Sequence, residues 1–146
     1  MKKGLFLGML LAASMTVQAE QVTVQTKCIT MVLNVDNGKQ PHYVYFGTRL
    51  SDYDLANLQM PRNGRMDAYP AYGQNTPAEA ALAMRHSDGN MSTELVATGV
   101  ERQGDVTRIH LKDPAYPITV DLCYKAYQDE DMIETWTEIK NGEQKP

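Results

Sequence analysis

The sequence predicts an all-β fold, an antiparallel sandwich, and three observations carry that expectation. Short apolar runs recur along the chain: "QVTVQT" and "CITMVLNV" first, "HYVYFGTRL" next, then "TELVATGVE", "VTRIHLKD", "PITVDLCYKAY" and "MIETWTEIKNG". Each is of strand length and bounded by Gly, Asn, Asp or Pro. The separators "DNGKQP", "RQGD", "DPAYP" and "QDED" carry turn chemistry, Asn37-Gly38 being a hairpin signal. The last four runs follow one another closely, which is the spacing of strands in a sandwich.

The first 19 residues are set aside. Lys2 and Lys3 form a basic start, Gly4 to Ala13 an apolar stretch too short to span a bilayer, and Val17-Gln18-Ala19 a small-residue cleavage site. This reads as a signal peptide without a lipid-accepting Cys, so the mature chain is expected to be soluble and periplasmic or secreted. Its 127 residues from Glu20 carry a net charge of −6 once Lys2 and Lys3 are removed. That charge disfavours nucleic acid and, after cleavage, an anionic membrane surface as partners. The length suits one domain with a real core. Cys28 and Cys123 are the only cysteines, and export permits a bridge between them. Alternation opposes it: Cys123 shares its strand face with Asp121 and Lys125, opposite Ile118, Val120, Leu122 and Tyr124.

Residues 51–73 form a long stretch with Pro61, Gly64, Pro70 and Gly73 and little periodicity, which suggests a functional or packed loop. Within it, "DAYPAYG" alternates a residue that fixes φ with one that frees it, setting a shape that holds Tyr69 and Tyr72. In "TPAEAALAMRH", Thr76, Pro77 and Glu79 have the chemistry of a helix start.

No motif for chemistry emerges. His42, His86 and His110 have no metal-ligand spacing, neither Cys lies in a C-x-x-C, and neither nucleophile elbow nor phosphate loop occurs. No cofactor or metal is expected. Asp52 with Asp54, and Asp129-Glu130-Asp131, are close carboxylates, but each group sits where acidic residues serve turns in solvent. His86, beside the "SDGN" turn, reads as a hydrogen-bonded structural histidine.

In order and spacing, "YVYFGTRL", "YPAYG", "MRHSDGNMSTEL" and "LKDPAYPITVDLCYKAYQDEDMIETWTEIKNG" resemble the N-terminal domain of glycoside hydrolase family 36 α-galactosidases, over residues from about 30 to 146. The resemblance implies a large β-sandwich of supersandwich type, followed in the family by a (β/α)₈ barrel and a smaller β-domain. It implies an extended rather than helical course for "AALAMRH", leading into the "SDGN" turn, and it places "DAYPAYG" near the active-site side. The family's nucleophile and acid/base lie in the barrel, so no catalytic residue is expected in this chain. It is expected to be inactive alone, while the parent enzyme would be a retaining α-galactosidase. The family's sandwich is longer than 127 residues, so this one is expected to be incomplete, with open strand edges.

In some family members an Asp in the loop before "YPAYG" reaches the substrate of a neighbouring subunit. Asp67 is the nearest candidate here, with Arg62 and Arg65 beside it, although no "L-D-R" setting is present. The expected substrate contacts are therefore Asp67, Tyr69, Tyr72 and Arg65. The partners implied are galactoside-containing oligosaccharides through the parent enzyme, that enzyme's barrel, and a second copy in a homo-oligomer. The alternative is a free-standing carbohydrate-binding sandwich in which Tyr69, Tyr72 and Trp136 form a stacking platform; a plain interaction domain is a third class. Alternation in "MIETWTEIKNG" puts Trp136 among Glu134 and Glu138, away from the main core.

Overall fold

The computed structural model describes residues 20–59, 66–74 and 79–144. The leader, residues 60–65 with Arg62 and Arg65, and the helix-start residues Thr76 and Pro77 lie outside that range. Two four-stranded antiparallel meanders face each other. The first is β1 (Glu20–Gln25), β2 (Ile29–Val35), β3 (His42–Thr48) and the two-residue β4 (Met66–Asp67). The second is β5 (Val96–Gln103), β6 (Val106–Lys112), β7 (Ile118–Tyr127) and β8 (Met132–Asn141).

The period-2 pattern explains which faces meet. Val22, Val24, Met31, Leu33 and Val35 point inward from the first sheet, and Ala97, Ile109, Leu111, Ile118, Val120, Leu122 and Tyr124 from the second. These side chains make one continuous core. Burial also pushes the Tyr124 hydroxyl well above its ordinary pKa.

Turn chemistry sets the registers. Gln103 pairs with Val106 across Gly104-Asp105, where Gly104 has φ +62°. Tyr127 pairs with Met132 across "QDED", and Asp131 there adopts φ +53°. Asn37-Gly38 does not make the two-residue hairpin its sequence suggests: β2 and β3 are joined by residues 36–41. Instead, Gly38 at φ +74° donates its N–H to Ala97 O (2.9 Å), and Ala97 N–H donates to Lys39 O (2.8 Å), tying the connection to the other sheet.

At the opposite end, Asp131 clamps the β1–β2 turn. Its Oδ1 accepts from Thr26 Oγ1 (2.5 Å) and from the Cys28 N–H (2.9 Å). The Thr26 hydrogen bond, then the Cys28 N–H, hold its carboxyl below the usual range. On one flank β1 lies over the second sheet, with Glu20 Oε1 2.7 Å from Arg102 Nη1 of β5.

Two elements in the stretch read as a loop were not anticipated, the short β4 and a single-turn helix α1, Asp52–Ala56. The Ser51 hydroxyl caps the Asp54 N–H and the Asp54 carboxylate returns to the Ser51 N–H, a reciprocal cap that "SDYD" encodes. The reverse holds for residues 79–86. Despite the alanines, no helix forms there; Leu82 makes one isolated bridge to Ala71. Cys28 is exposed at a turn and Cys123 is buried within β7, and both are free thiols. Different surroundings separate them: Cys28 is drawn to the Asp131 clamp, while Cys123 lies under Trp136 in the register of β7 and β8.

Candidate functional site

Away from the Asp131 clamp, the connections between strands gather into one polar cluster at the end of the sandwich, and "DAYPAYG" runs through it. Asp67 sits in β4 opposite His42 and is half-buried. Tyr69 packs against the core. From there the backbone is stitched on both sides: Ala81 N–H donates to Pro70 O (2.7 Å), Tyr72 N–H to Leu82 O (2.9 Å) and Thr93 N–H to Tyr72 O (2.9 Å). The Gln74 side chain closes the turn, accepting from Ala71 N–H at 2.9 Å and donating to Leu95 O at 3.2 Å. Gly73 is required where it stands. It has φ +94°, and a Cβ there would lie 2.5 Å from Ser92 Cβ and 2.7 Å from Ser92 Cα.

A buried histidine anchors the neighbouring "RHSDGN" loop. His86 Nδ1 is 2.5 Å from Glu143 Oε1, and its Nε2 is 3.1 Å from Thr93 Oγ1. Glu143 Oε2 also accepts from the Ser87 N–H (2.7 Å). The imidazole stacks on Tyr116, with centroids 3.6 Å apart and 7° between planes. The Tyr116 hydroxyl donates to Asp88 Oδ2 (2.9 Å) and accepts from Asn90 Nδ2 (2.9 Å). Asp113, itself buried, accepts from the N–H groups of Glu94, Ala115 and Tyr116. The His86 hydrogen bond, reinforced by Ser87 N–H, holds Glu143 below the ordinary carboxylate range. His86 is thus structural, as its sequence setting suggests. Its partners Thr93, Tyr116 and Glu143 carried no sequence signal of that role, Glu143 being 57 residues away.

These loops line a polar cleft of about 640 Å³, with Gln40, Gln74, Asn90, Thr93 and Tyr116 among its walls. Most of its polar groups are committed to one another, which fixes loop shape. The buried Gln40 Nε2 has no partner among the described residues. Amides and hydroxyls of this kind can hydrogen-bond a polyol; the one pairing of a hydroxyl with an imidazole described at the cleft, Thr93 Oγ1 with His86 Nε2, is buried. No group of three or more His, Cys, Asp or Glu among the described residues could hold a metal. The close carboxylates have structural work: Asp54 caps α1 and Asp131 clamps a turn.

The expected aromatic contacts are divided between places. Tyr69 and Trp136 line one hollow of about 290 Å³ with Tyr43 and Tyr124. Tyr72 is not part of it and is 49% exposed. Trp136 is half-buried and its Nε1 donates to Glu138 Oε1 at 3.2 Å.

Comparison with solved structures finds this architecture in α-galactosidases. The Lactobacillus brevis α-galactosidase superposes with a TM-score of 0.69 at 14% identity, over 86% of this chain and 22% of that one. The GH36 α-galactosidase AgaA from Geobacillus stearothermophilus gives 0.71 at 17% identity, over 86% and 23%. The galactosidase domain of an α-galactosidase–sucrose kinase, AgaSK, gives 0.66 at 19% identity, over 82% and 22%. The chain therefore spans under a quarter of the length of these structures, and identities this low establish the fold alone. Among curated proteins, none matches the sequence. The family description "Glycosyl hydrolase family 36 N-terminal domain" matches residues 39–146, and the chain belongs to that family.

Proposed function

We propose that this chain is the non-catalytic N-terminal domain of an exported α-galactosidase, scaffolding a catalytic barrel and supplying loops to its sugar pocket. The observation that carries the reading is the family match over residues 39–146, which contains the whole stitched loop cluster. Rigid loops are what a neighbouring pocket needs, because a contact residue held by its own hydrogen bonds costs less entropy on substrate binding. Tyr72, exposed on a loop fixed by Pro70 and Gly73, and Asp67 at the edge of the first sheet are the residues assigned to that role. Variants of AgaA have been solved in complex with stachyose and with raffinose, which supports galactosyl oligosaccharides as the substrate class of the parent enzyme. The basic and apolar leader supports export.

The test is turnover. The purified chain is expected to leave p-nitrophenyl α-galactoside unhydrolysed; hydrolysis abolished by a single substitution between Glu20 and Pro146 would overturn the proposal. The hollow shared by Tyr43, Tyr69 and Trp136 favours one other reading, a sugar-binding module. Calorimetric binding of raffinose by the chain, lost in Trp136→Ala, would select it.

A further inference from the structure

Two Asn-Gly pairs lie among the described residues, Asn37-Gly38 and Asn141-Gly142; a third, Asn63-Gly64, lies outside them. This dipeptide carries its own chemistry. Glycine has no Cβ to shield its amide nitrogen, so that nitrogen can reach the side-chain carbonyl carbon of the preceding asparagine and make it labile. The fold treats the two pairs differently. Asn141 is fastened twice: its Oδ1 accepts from the Glu143 N–H at 2.8 Å, and the Gly142 N–H donates to Pro117 O at 2.8 Å. A Cβ on Gly142 would lie 3.0 Å from that Pro117 oxygen, so the pair has little room. Asn37 is exposed in the connection after β2, where Asn34, Asp36 and Lys39 bond to one another by their side chains and leave Asn37 out. A Cβ on Gly38 would meet nothing within 4 Å. One bond restrains the Gly38 nitrogen, its donation to Ala97 O at 2.9 Å.

We propose that Asn37 is a self-modification site, converted in the folded chain to aspartate and isoaspartate when the Gly38–Ala97 hydrogen bond opens, while Asn141 is preserved. In the step, the Gly38 nitrogen gives its proton to solvent and attacks Asn37 Cγ; the N–Cγ bond forms, the Cγ–Nδ2 bond breaks, and the side-chain nitrogen leaves as ammonia. Water then opens the succinimide at either carbonyl. One opening restores the ordinary backbone with an aspartate, and the other leaves isoaspartate, whose backbone runs through Cγ and is longer by a methylene. The net change is hydrolysis of an amide to a carboxylate and ammonium, with no change of oxidation state. Hydrogen bonds of an exposed connection open locally, without global unfolding, so this one slows the reaction without abolishing it. The consequence falls on the polar cleft, whose wall includes Gly38, Lys39 and Gln40. A new carboxylate there stands beside Asp36 and competes for Lys39, whose Nζ is 3.3 Å from Asp36 Oδ2. The longer backbone of isoaspartate also displaces Gly38 and Lys39 from Ala97, loosening the two bonds that tie this connection to the second sheet.

The proposal is independent of the galactosidase reading, and its test does not involve sugar. The purified chain is held folded in warm, mildly alkaline buffer while peptide mapping by mass spectrometry follows the amide-to-acid change at each asparagine, and isoaspartate methyltransferase labelling locates isoaspartate. Asn37 should convert at least about ten-fold faster than Asn141, and in concentrated urea the two rates should converge, because the bonds that separate them are gone. Asp36→Ala removes the carboxylate that holds Asn34 and Lys39, so it should loosen the connection. The Gly38 amide should then exchange its hydrogen faster and Asn37 should convert faster by the same factor, with Asn141 unchanged. Lys39→Ala loosens the same connection more gently and serves where Asp36→Ala fails to fold. A rate at Asn37 no greater than at Asn141 in the folded chain, an intact Asn37 after the urea-unfolded chain has fully converted, or conversion that does not follow Gly38 exchange would overturn the proposal.

Discussion

The two flanks of the sandwich are built from the same alternating pattern, yet only one is closed. Where β1 lies over the second sheet, Val22, Leu33, Ile109 and Val120 are fully buried. On the other flank β3 and β4 face β8 across a groove of about 850 Å³ lined by Met31, Tyr43, Phe46, Met66, Met132 and Ile133. Phe46 there is 66% exposed and Met66 64%. Alternation decides which way a side chain points, whereas burial depends on whether an opposing layer reaches it. The open groove is an uncovered apolar surface of the sort that marks a contact site.

That contrast gives its largest test in the core. Ile109→Ala should cost about 2–5 kcal/mol, because its cavity is walled by both sheets and cannot collapse. Phe46→Ala on the open flank should stay within about 1 kcal/mol, having little buried area to lose. Urea titration of the two variants measures the gap; equal losses would mean that the groove is filled.

Next in size is the loop end. Gly73→Ala combines a left-handed φ with a clash against the Ser92 backbone and should cost about 1–3 kcal/mol. Thermal unfolding would show it, and an unchanged midpoint would mean that the loop yields easily.

A smaller effect separates the loop end from the rest by pH. Glu143 is depressed in the folded chain by His86 and the Ser87 N–H, from an ordinary value of 4.5. A carboxylate depressed by folding stabilises fully above its unfolded pKa, and that contribution drains away as pH falls through the lower folded value. Glu143→Gln should therefore lower Tm at about pH 7 and weaken the loss of stability between about pH 4.5 and pH 3. An acid limb identical to that of the parent chain would remove Glu143 from the account. The least effect belongs to Lys27→Ala: its pair with Asp129 is exposed on both sides, and no measurable change in Tm is expected.

Seven of the eight strands were legible in the sequence because each is bounded by turn residues and patterned at period 2, and their observed ends fall within a few residues of the apolar runs; the two-residue β4 lies in the stretch taken as a loop. Residues 79–86 read locally as helix, yet tertiary hydrogen bonds from Ala81 and to Leu82 hold them against "YPAYG", an outcome that only the family resemblance anticipated. The α1 cap was written in "SDYD" and passed over in a stretch taken as irregular. Within the candidate site, Gly73 and Pro70 announced a fixed loop. Its fastening to Leu82 and Thr93, and the anchoring of His86 by Glu143, depend on contacts between distant segments that periodicity cannot reveal.

Native-state hydrogen exchange tests the central contrast most directly, since it reads each strand edge amide by amide. In dilute solution, amides along β6, bonded on both sides, should exchange only with global unfolding, while alternate amides of β8 facing away from β7 should exchange orders of magnitude faster. Uniformly slow exchange along β8 in a dilute monomer would contradict the account, because it would mean that this flank is already closed.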